Sequence, residues 1–309
     1  MIPDDDLLFY DLTAIHSITQ NLKIIEKGYN ANNENLPQIG ISLAFSSKNS
    51  IPVAIDLSYG SMKDIKTIRN FIDRLPKRKK FGFIFDMGFS SYKLIKDLIV
   101  MGIHYMVPTK SNLKINPDPR SITWERAFSY QERAIRWCKC KSDLGFIYTF
   151  EDPLAKGEQD STKLNKVSSK IMTMAEYEES KYDSGIFSIL SDLDSKGDTI
   201  FEQYKSREAV EVAFDALKNE LESDKVTLRT NEGIRGYFFL SFLSLRIYFK
   251  ILQRLKELGI SNKISVEEVL FELSKVEKII EKNGNEYFAA IPKKTLNILN
   301  YFKDQIPMV

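Results

Sequence analysis

The chain has 309 residues, and 44 Lys and Arg against 42 Asp and Glu leave a formal net charge of +2. Such a length suits one large domain with an insertion, or two domains, each able to bury a full core. Near-neutrality excludes a global field that would attract a polyanion, so any basic surface has to be local. Cys138 and Cys140 stand one residue apart and the histidines are His16 and His104, which is not a zinc-ligand pattern. So few thiols fit a reducing, cytoplasmic compartment. The opening MIPDDDLLFYD has acidic residues where a signal peptide has basic ones. The most apolar run, Tyr237 to Phe249, is too short to cross a bilayer and contains Arg246, so no membrane partner is expected.

The run LLFYDLTAI, from Leu7 to Ile15, is apolar and β-prone, and it sets Asp11 near the middle of an interior strand. A carboxylate there needs a cation or several hydrogen-bond donors, because desolvating it alone costs several kcal/mol. IGISLAFS from Ile39 and IPVAIDLS from Ile51, separated by SKNS, complete three antiparallel strands. MKDIKTIRNFIDRL has apolar residues at Ile65, Ile68, Phe71, Ile72 and Leu75, the spacing of a helix on a sheet, ended by Pro76. The run Lys77, Arg78, Lys79, Lys80 follows, a solvated turn or a phosphate contact. FGFIFDMGFSS is a strand that delivers Asp86 at its end, before a helix through Met101; IHYMVPTKSN is a further strand with Lys110 in the loop beyond. The expected order is βββ-α-β-α-β.

From Ser111 to Ser184 the chain becomes rich in turns and loops, with short strands at RAIRWCKC and GFIYTFE, and reads as an inserted β-rich subdomain. GIFSILS resumes the main fold, followed by a helix that contains YKSREAVEVAFDALK, a second from about Ile234 to Leu258, and a third from Val266 to Lys282.

Asp11, Asp86 and Glu211 stand out by position. If the first and fourth strands are neighbours, the two aspartates meet, and a helix packed across them adds the glutamate. Each alone reads equally as a capping or salt-bridged residue. Together they make a hard oxygen cluster that suits Mg²⁺ or Mn²⁺, and two such ions about 4 Å apart serve phosphodiester cleavage. In YKSREAVEVAFDALK, Tyr204, Arg207, Glu211 and Lys218 follow at steps of 3, 4 and 7. At about 3.6 residues per turn they project from one face of a helix, beside an apolar seam of Val210, Phe214, Leu217 and Leu221. An amphipathic helix with a spaced salt bridge is the plainer reading.

These residues resemble the DDE-type transposases of insertion sequences, which have a ribonuclease-H-like core. The subgroup signature Y-(2)-R-(3)-E-(6)-K is matched at every spacing by Tyr204, Arg207, Glu211 and Lys218. Asp11 with Thr13 two residues on resembles the first acidic motif. Asp86-Met87-Gly88-Phe89 keeps the frame of the second, with methionine where arginine is usual. The resemblance covers about Leu7 to Leu258.

It implies an α/β fold: a ribonuclease-H-like mixed sheet flanked by helices, with a β-rich insertion before the last catalytic helix. The domains would be residues 1–112 (core, first part), 113–184 (insertion), 185–258 (core, second part) and 259–309 (helical tail). Asp11, Asp86 and Glu211 would hold two Mg²⁺ or Mn²⁺ ions. Tyr204, Arg207 and Lys218 would contact phosphates of the transposon end, with Lys110, Lys77 and Arg78 as further DNA contacts. Trp124 or Trp137 would either pack or stack on an unpaired base.

The partners implied are double-stranded DNA at transposon ends and target DNA, engaged by a homodimer in the cytoplasm. The activity is strand cleavage followed by attack of the freed 3′-hydroxyl on another phosphodiester, as in cut-and-paste transposition. The alternatives are an inactive DNA-binding regulator and a nuclease without strand transfer. Only ten residues precede Asp11, so the DNA-recognition domain usual in such transposases is expected to be missing.

Overall fold

A computed structural model describes residues 5–19, 22–29, 35–61, 64–75, 81–111, 113–220 and 225–303. The chain divides into two compact units, residues 1–241 and 242–309.

The first unit opens with β1 (Asp6–Ser17), the short β2 (Glu26–Tyr29), β3 (Asn35–Ser46) and β4 (Ile51–Tyr59). β3 runs antiparallel to β1, and β2 and β4 share its other edge, also antiparallel. Then come α1 (Asp64–Arg74), β5 (Phe81–Ile84), α2 (Tyr92–Met101) and β6 (His104–Thr109). β5 is parallel to β1, and β6 is parallel to β5. The resulting order β4-β3-β1-β5-β6, an antiparallel meander followed by two parallel strands, is the ribonuclease-H-like arrangement. The helix and strand periods predicted for this stretch are all realised; β2 is additional.

Alternation along β1 decides what each face holds. Leu8 and Tyr10 join Ile68, Phe71, Ile72, Leu94, Ile95 and Leu98 in a core beneath α1 and α2. Tyr10 meets the rings of Phe71, Phe83, Phe85 and Phe89 edge-on at centroid distances of 5.0, 6.0, 6.0 and 5.3 Å. Asp11 therefore points to the opposite face.

β7 (Arg126–Tyr130), β8 (Arg133–Ser142) and β9 (Gly145–Glu151) follow, then α3 (Pro153–Ser168), α4 (Met174–Ser180) and β10 (Ile186–Ser191). β10 pairs with β6 on one side and β9 on the other, so the strands of the inserted stretch continue the main sheet. The two helices occupy sequence that reads as loop. Asp152 caps α3 by accepting from the amides of Leu154 and Ala155, with Pro153 in its first turn, and Thr173 with Glu176 forms a capping box on α4. Neither helix buries a residue, which is why no apolar period announced them.

α5 (Gly197–Lys205) and α6 (Glu208–Asp215) replace the single helix expected across Tyr204 to Lys218. The amide of Arg207 donates to the carbonyl of Tyr204 (3.1 Å) and that of Val210 to Arg207 (2.9 Å), so tight i to i+3 turns join the two helices. A π-helical turn, Ala216–Glu220, extends α6 and carries Lys218. β11 (Lys225–Val226) pairs with the end of β1, and α7 (Asn231–Glu257) follows.

In the second unit, α8 (Val266–Leu273), β12 (Lys278–Ile280), β13 (Glu286–Phe288) and α9 (Lys293–Tyr301) complete the chain. Val266 and Val269 pack with Leu255, Ile298 and Phe302. The helix predicted from Val266 to Lys282 stops at Leu273, and Lys278–Ile280 pairs with β13 as a hairpin instead.

Candidate active site

The register of β1 and β5 brings the two aspartates to the same end of adjacent strands. Asp6, Leu7, Leu8 and Phe9 lie opposite Phe81, Gly82, Phe83 and Ile84, a constant offset of 84 − 9 = 75, which is also 86 − 11. Asp11 remains in strand, opposite Leu43 of β3. Asp86 lies just past β5 at the head of a tight turn, Met87–Phe89, where the Phe89 amide donates to its carbonyl (3.1 Å). Phe89 is buried and packs on Phe85 at 5.5 Å, so the turn that presents Asp86 is anchored in the core. Met87, where the sequence departs from the resembled motif, is exposed.

α6 supplies the glutamate. It buries Val210, Ala213 and Phe214 and packs on β1 and β3, over the face that carries Asp11. Glu211, one step round the helix from Val210, projects at the edge of that contact.

All three carboxylates converge on one cation. Arg207 places Nη1 at 3.8 Å from Asp11 Oδ2, and Nη2 at 3.7 Å from Asp86 Oδ1 and 2.7 Å from Glu211 Oε1. Its side chain is 14% exposed, against 23% for Asp11, 47% for Asp86 and 54% for Glu211. The spaced salt bridge read from the sequence is thus present, and it also takes in two acids that the helix alone could not reveal.

Burial raises the carboxyl of Asp11 to about 6; the Leu12 amide and Arg207 oppose this, and the charges of Asp86 and Glu211 add to it. For Arg207, burial works against the charge, but Asp86, Tyr204, Glu211 and Asp11 together more than reverse that. The Tyr204 phenol, also raised by burial, stands next to Arg207.

The other predicted residues are more scattered. Lys218 is half-buried and forms no ion pair among the described residues. Lys110 is exposed just beyond β6, and its carbonyl accepts from Asn116 Nδ2 (2.7 Å). Lys77 and Arg78 lie outside the described residues. Trp137 is buried, with Gly197 against its ring, and the Trp124 ring is covered by the Arg136 guanidinium at 4.5 Å, so packing accounts for both. Asp56 on β4 is another strand carboxylate, but it pairs with Arg74 away from the cluster.

Among the described residues no three His, Cys, Asp or Glu side chains are gathered closely enough to hold a metal ion as they stand. The donor set fits one all the same. Three carboxylates share a single guanidinium, a local excess of two negative charges, and every donor is a hard oxygen, which is what Mg²⁺ and Mn²⁺ select.

Residues 5–247 match the model of the transposase DDE domain, and the chain belongs to that family. Among solved structures it is similar to the piggyBac transposase in a cryo-EM structure of a synaptic complex with hairpin DNA, with a TM-score of 0.48 and 11% sequence identity. That match covers 99% of this chain and 55% of the other, so the chain spans about half the length of that transposase. No curated protein matches the chain. Among the described residues no helix is long and apolar enough to cross a membrane.

Proposed function

We propose that this chain is the catalytic core of a DNA transposase, cutting strands at transposon ends and joining the freed 3′-hydroxyl to target DNA. The observation that carries the reading is the convergence of Asp11, Asp86 and Glu211, separated by 75 and 125 residues, on the Arg207 guanidinium. In this reading the three carboxylates hold two Mg²⁺ or Mn²⁺ ions. The chemistry such ions supply in an oxygen cage is polarisation of the scissile phosphate and activation of a water.

The chain's own residues do the positioning. The partly buried strand holds Asp11 while the anchored turn holds Asp86, which keeps two ligands rigid, and α6 adds Glu211 from above. Arg207 grips a phosphate with its fork, Lys218 contributes a point charge about three turns further along, and Tyr204 contacts the same backbone beside Arg207. Lys110, Lys77 and Arg78 extend the contact along the duplex. Residues 1–112 and 185–258 serve as the core, 113–184 as the insertion and 259–309 as a helical tail, in a homodimer that pairs two ends in the cytoplasm.

The test is Mg²⁺-dependent nicking of supercoiled DNA by wild type and Glu211→Gln. We expect the substitution to abolish nicking with a Tm within a few degrees of wild type. Equal nicking by both proteins would remove the reading. Nicking without joined products, when a pre-cut 3′-hydroxyl end is supplied, would leave a nuclease without strand transfer.

A further inference from the structure

Arg207 occupies the middle of the three carboxylates. Its guanidinium reaches Asp11, Asp86 and Glu211 from one point, at 3.8, 3.7 and 2.7 Å. The carboxylates are arrayed around a flat, extended cation, and with that cation among them they form no group that would hold a metal ion. A metal ion and Arg207 therefore compete for the same oxygens.

The backbone gives Arg207 an unusual place to do this. It lies in the break between α5 and α6, held by i to i+3 bonds rather than by a continuous helical ladder. No glycine or proline in YKSREAV causes that break. Short stretches of this kind inside a helix often mark a hinge or a point of strain. Apart from Tyr204, the groups that stabilise the Arg207 charge are the three acids.

We infer that Arg207 is a built-in placeholder whose transfer to a DNA phosphate opens the carboxylate cluster to divalent ions, so that substrate and metal load together. The inference rests on the transposase reading and adds an order of events to it. In the free chain, Arg207 neutralises part of the acidic excess and keeps the site poorly receptive. A phosphate offers the guanidinium a bidentate partner of equal chemistry. Once Arg207 turns to it, the acids regain their full negative charge and can close on an ion. Linkage requires the reverse as well: metal must raise affinity for DNA by the same factor that DNA raises affinity for metal. Cleavage in the absence of correctly seated DNA is then suppressed by the active-site residues themselves.

A rival role for Arg207 is a permanent brace that holds mutually repelling acids together. The two roles predict opposite signs. Mn²⁺ affinity of the full chain, measured by loss of the free-ion electron paramagnetic resonance signal, separates them. Wild type, Arg207→Ala, Arg207→Gln and the double variant Arg207→Ala/Glu211→Gln would be compared with and without a short DNA duplex at low salt. We expect DNA to tighten Mn²⁺ binding to wild type by about tenfold, an ordinary size for coupling between two sites. Arg207→Ala and Arg207→Gln should bind Mn²⁺ about tenfold more tightly than wild type without DNA, and should gain little from adding it.

Arg207→Gln, which keeps polar atoms near the acids, supports the measurement if Arg207→Ala melts early. Unchanged or weaker Mn²⁺ binding in both variants, with loss of binding in the double variant, would overturn the placeholder and leave the metal site standing. Mn²⁺ binding that ignores Glu211 altogether would overturn both.

Discussion

Two ionic clusters stand on the same sheet and are built in opposite proportions. Around Glu151, at the end of β9, one acid whose side chain is 4% exposed is met by two cations, Arg136 and Lys156, the latter at 3.2 Å, while neighbouring Asp152 pairs with Arg133. Around Asp11, three acids share one cation. Burial pushes both carboxyls upward, yet Glu151 ends below its ordinary value because hydrogen bonds and charge from Arg136 and Lys156 outweigh desolvation, whereas Asp11 ends near 6 because a single guanidinium does not. The first cluster is self-sufficient, and its neutralised ions hold β8, β9 and α3 together. The second is short of positive charge, which a fold tolerates where something else is to bind.

The largest expected effect breaks the second cluster. Asp11→Asn should lower Mg²⁺-dependent nicking on the order of 10³-fold, about 4 kcal/mol of transition-state stabilisation, and it should raise Tm, because a poorly compensated buried charge is removed. A drop in Tm would move Asp11 to the structural class.

The next sharpens the contrast through pH. The folded pKa of Asp11 lies above its ordinary value of 3.8, so the metal-free native state holds that proton more tightly than the unfolded chain. Its contribution to stability should fall as pH rises from about 4 through 6 and level off beyond, by about 3 kcal/mol. Glu151, shifted the other way, should stabilise above its ordinary value of 4.5 and lose that contribution as pH falls through its lowered folded pKa. Urea unfolding of wild type and Asp11→Asn across this range checks both signs; the falling limb should vanish in the variant.

Glu151→Gln comes third. It leaves two cations without their acid and should cost about 2 kcal/mol in urea unfolding, with nicking per folded molecule unchanged. The smallest effect belongs to Lys218→Ala, which should weaken DNA binding modestly and reduce the slope of log affinity against log salt by about 1. An unchanged slope would assign Lys218 to the surface.

Much of the site was legible because it rests on local rules. A carboxylate inside an apolar strand, one at a strand's end before a turn, and an i, i+4 Arg–Glu pair are visible in one dimension, and the offset of 75 residues places both aspartates near one guanidinium once β1 and β5 pair in parallel. The helix break at Ser206 and Arg207 was not legible. YKSREAVEVAFDALK contains no glycine or proline, and a continuous 3.6-residue period runs through it; the local feature at the break is Ser206, whose hydroxyl donates to the Glu202 carbonyl (2.8 Å), a back-bond that bends helices and that a periodicity count does not register. α3 was missed for the reverse reason: its signal was the Asp152–Pro153 start, while the periodicity usually sought was absent because no residue of the helix is buried. The short edge strands β2 and β7 offered too little pattern to stand out.

Iron-directed backbone scission tests the central claim most directly. With Fe²⁺ and ascorbate in place of Mg²⁺, hydroxyl radicals released at a bound ion cut the chain nearby, and the fragments locate the ion. With a short DNA duplex present to draw Arg207 off the acids, cuts are expected around residues 11, 86 and 211 together, suppressed by excess Mg²⁺ and absent in Glu211→Gln. Fragments that begin elsewhere, or the same three cuts in the variant, would contradict it.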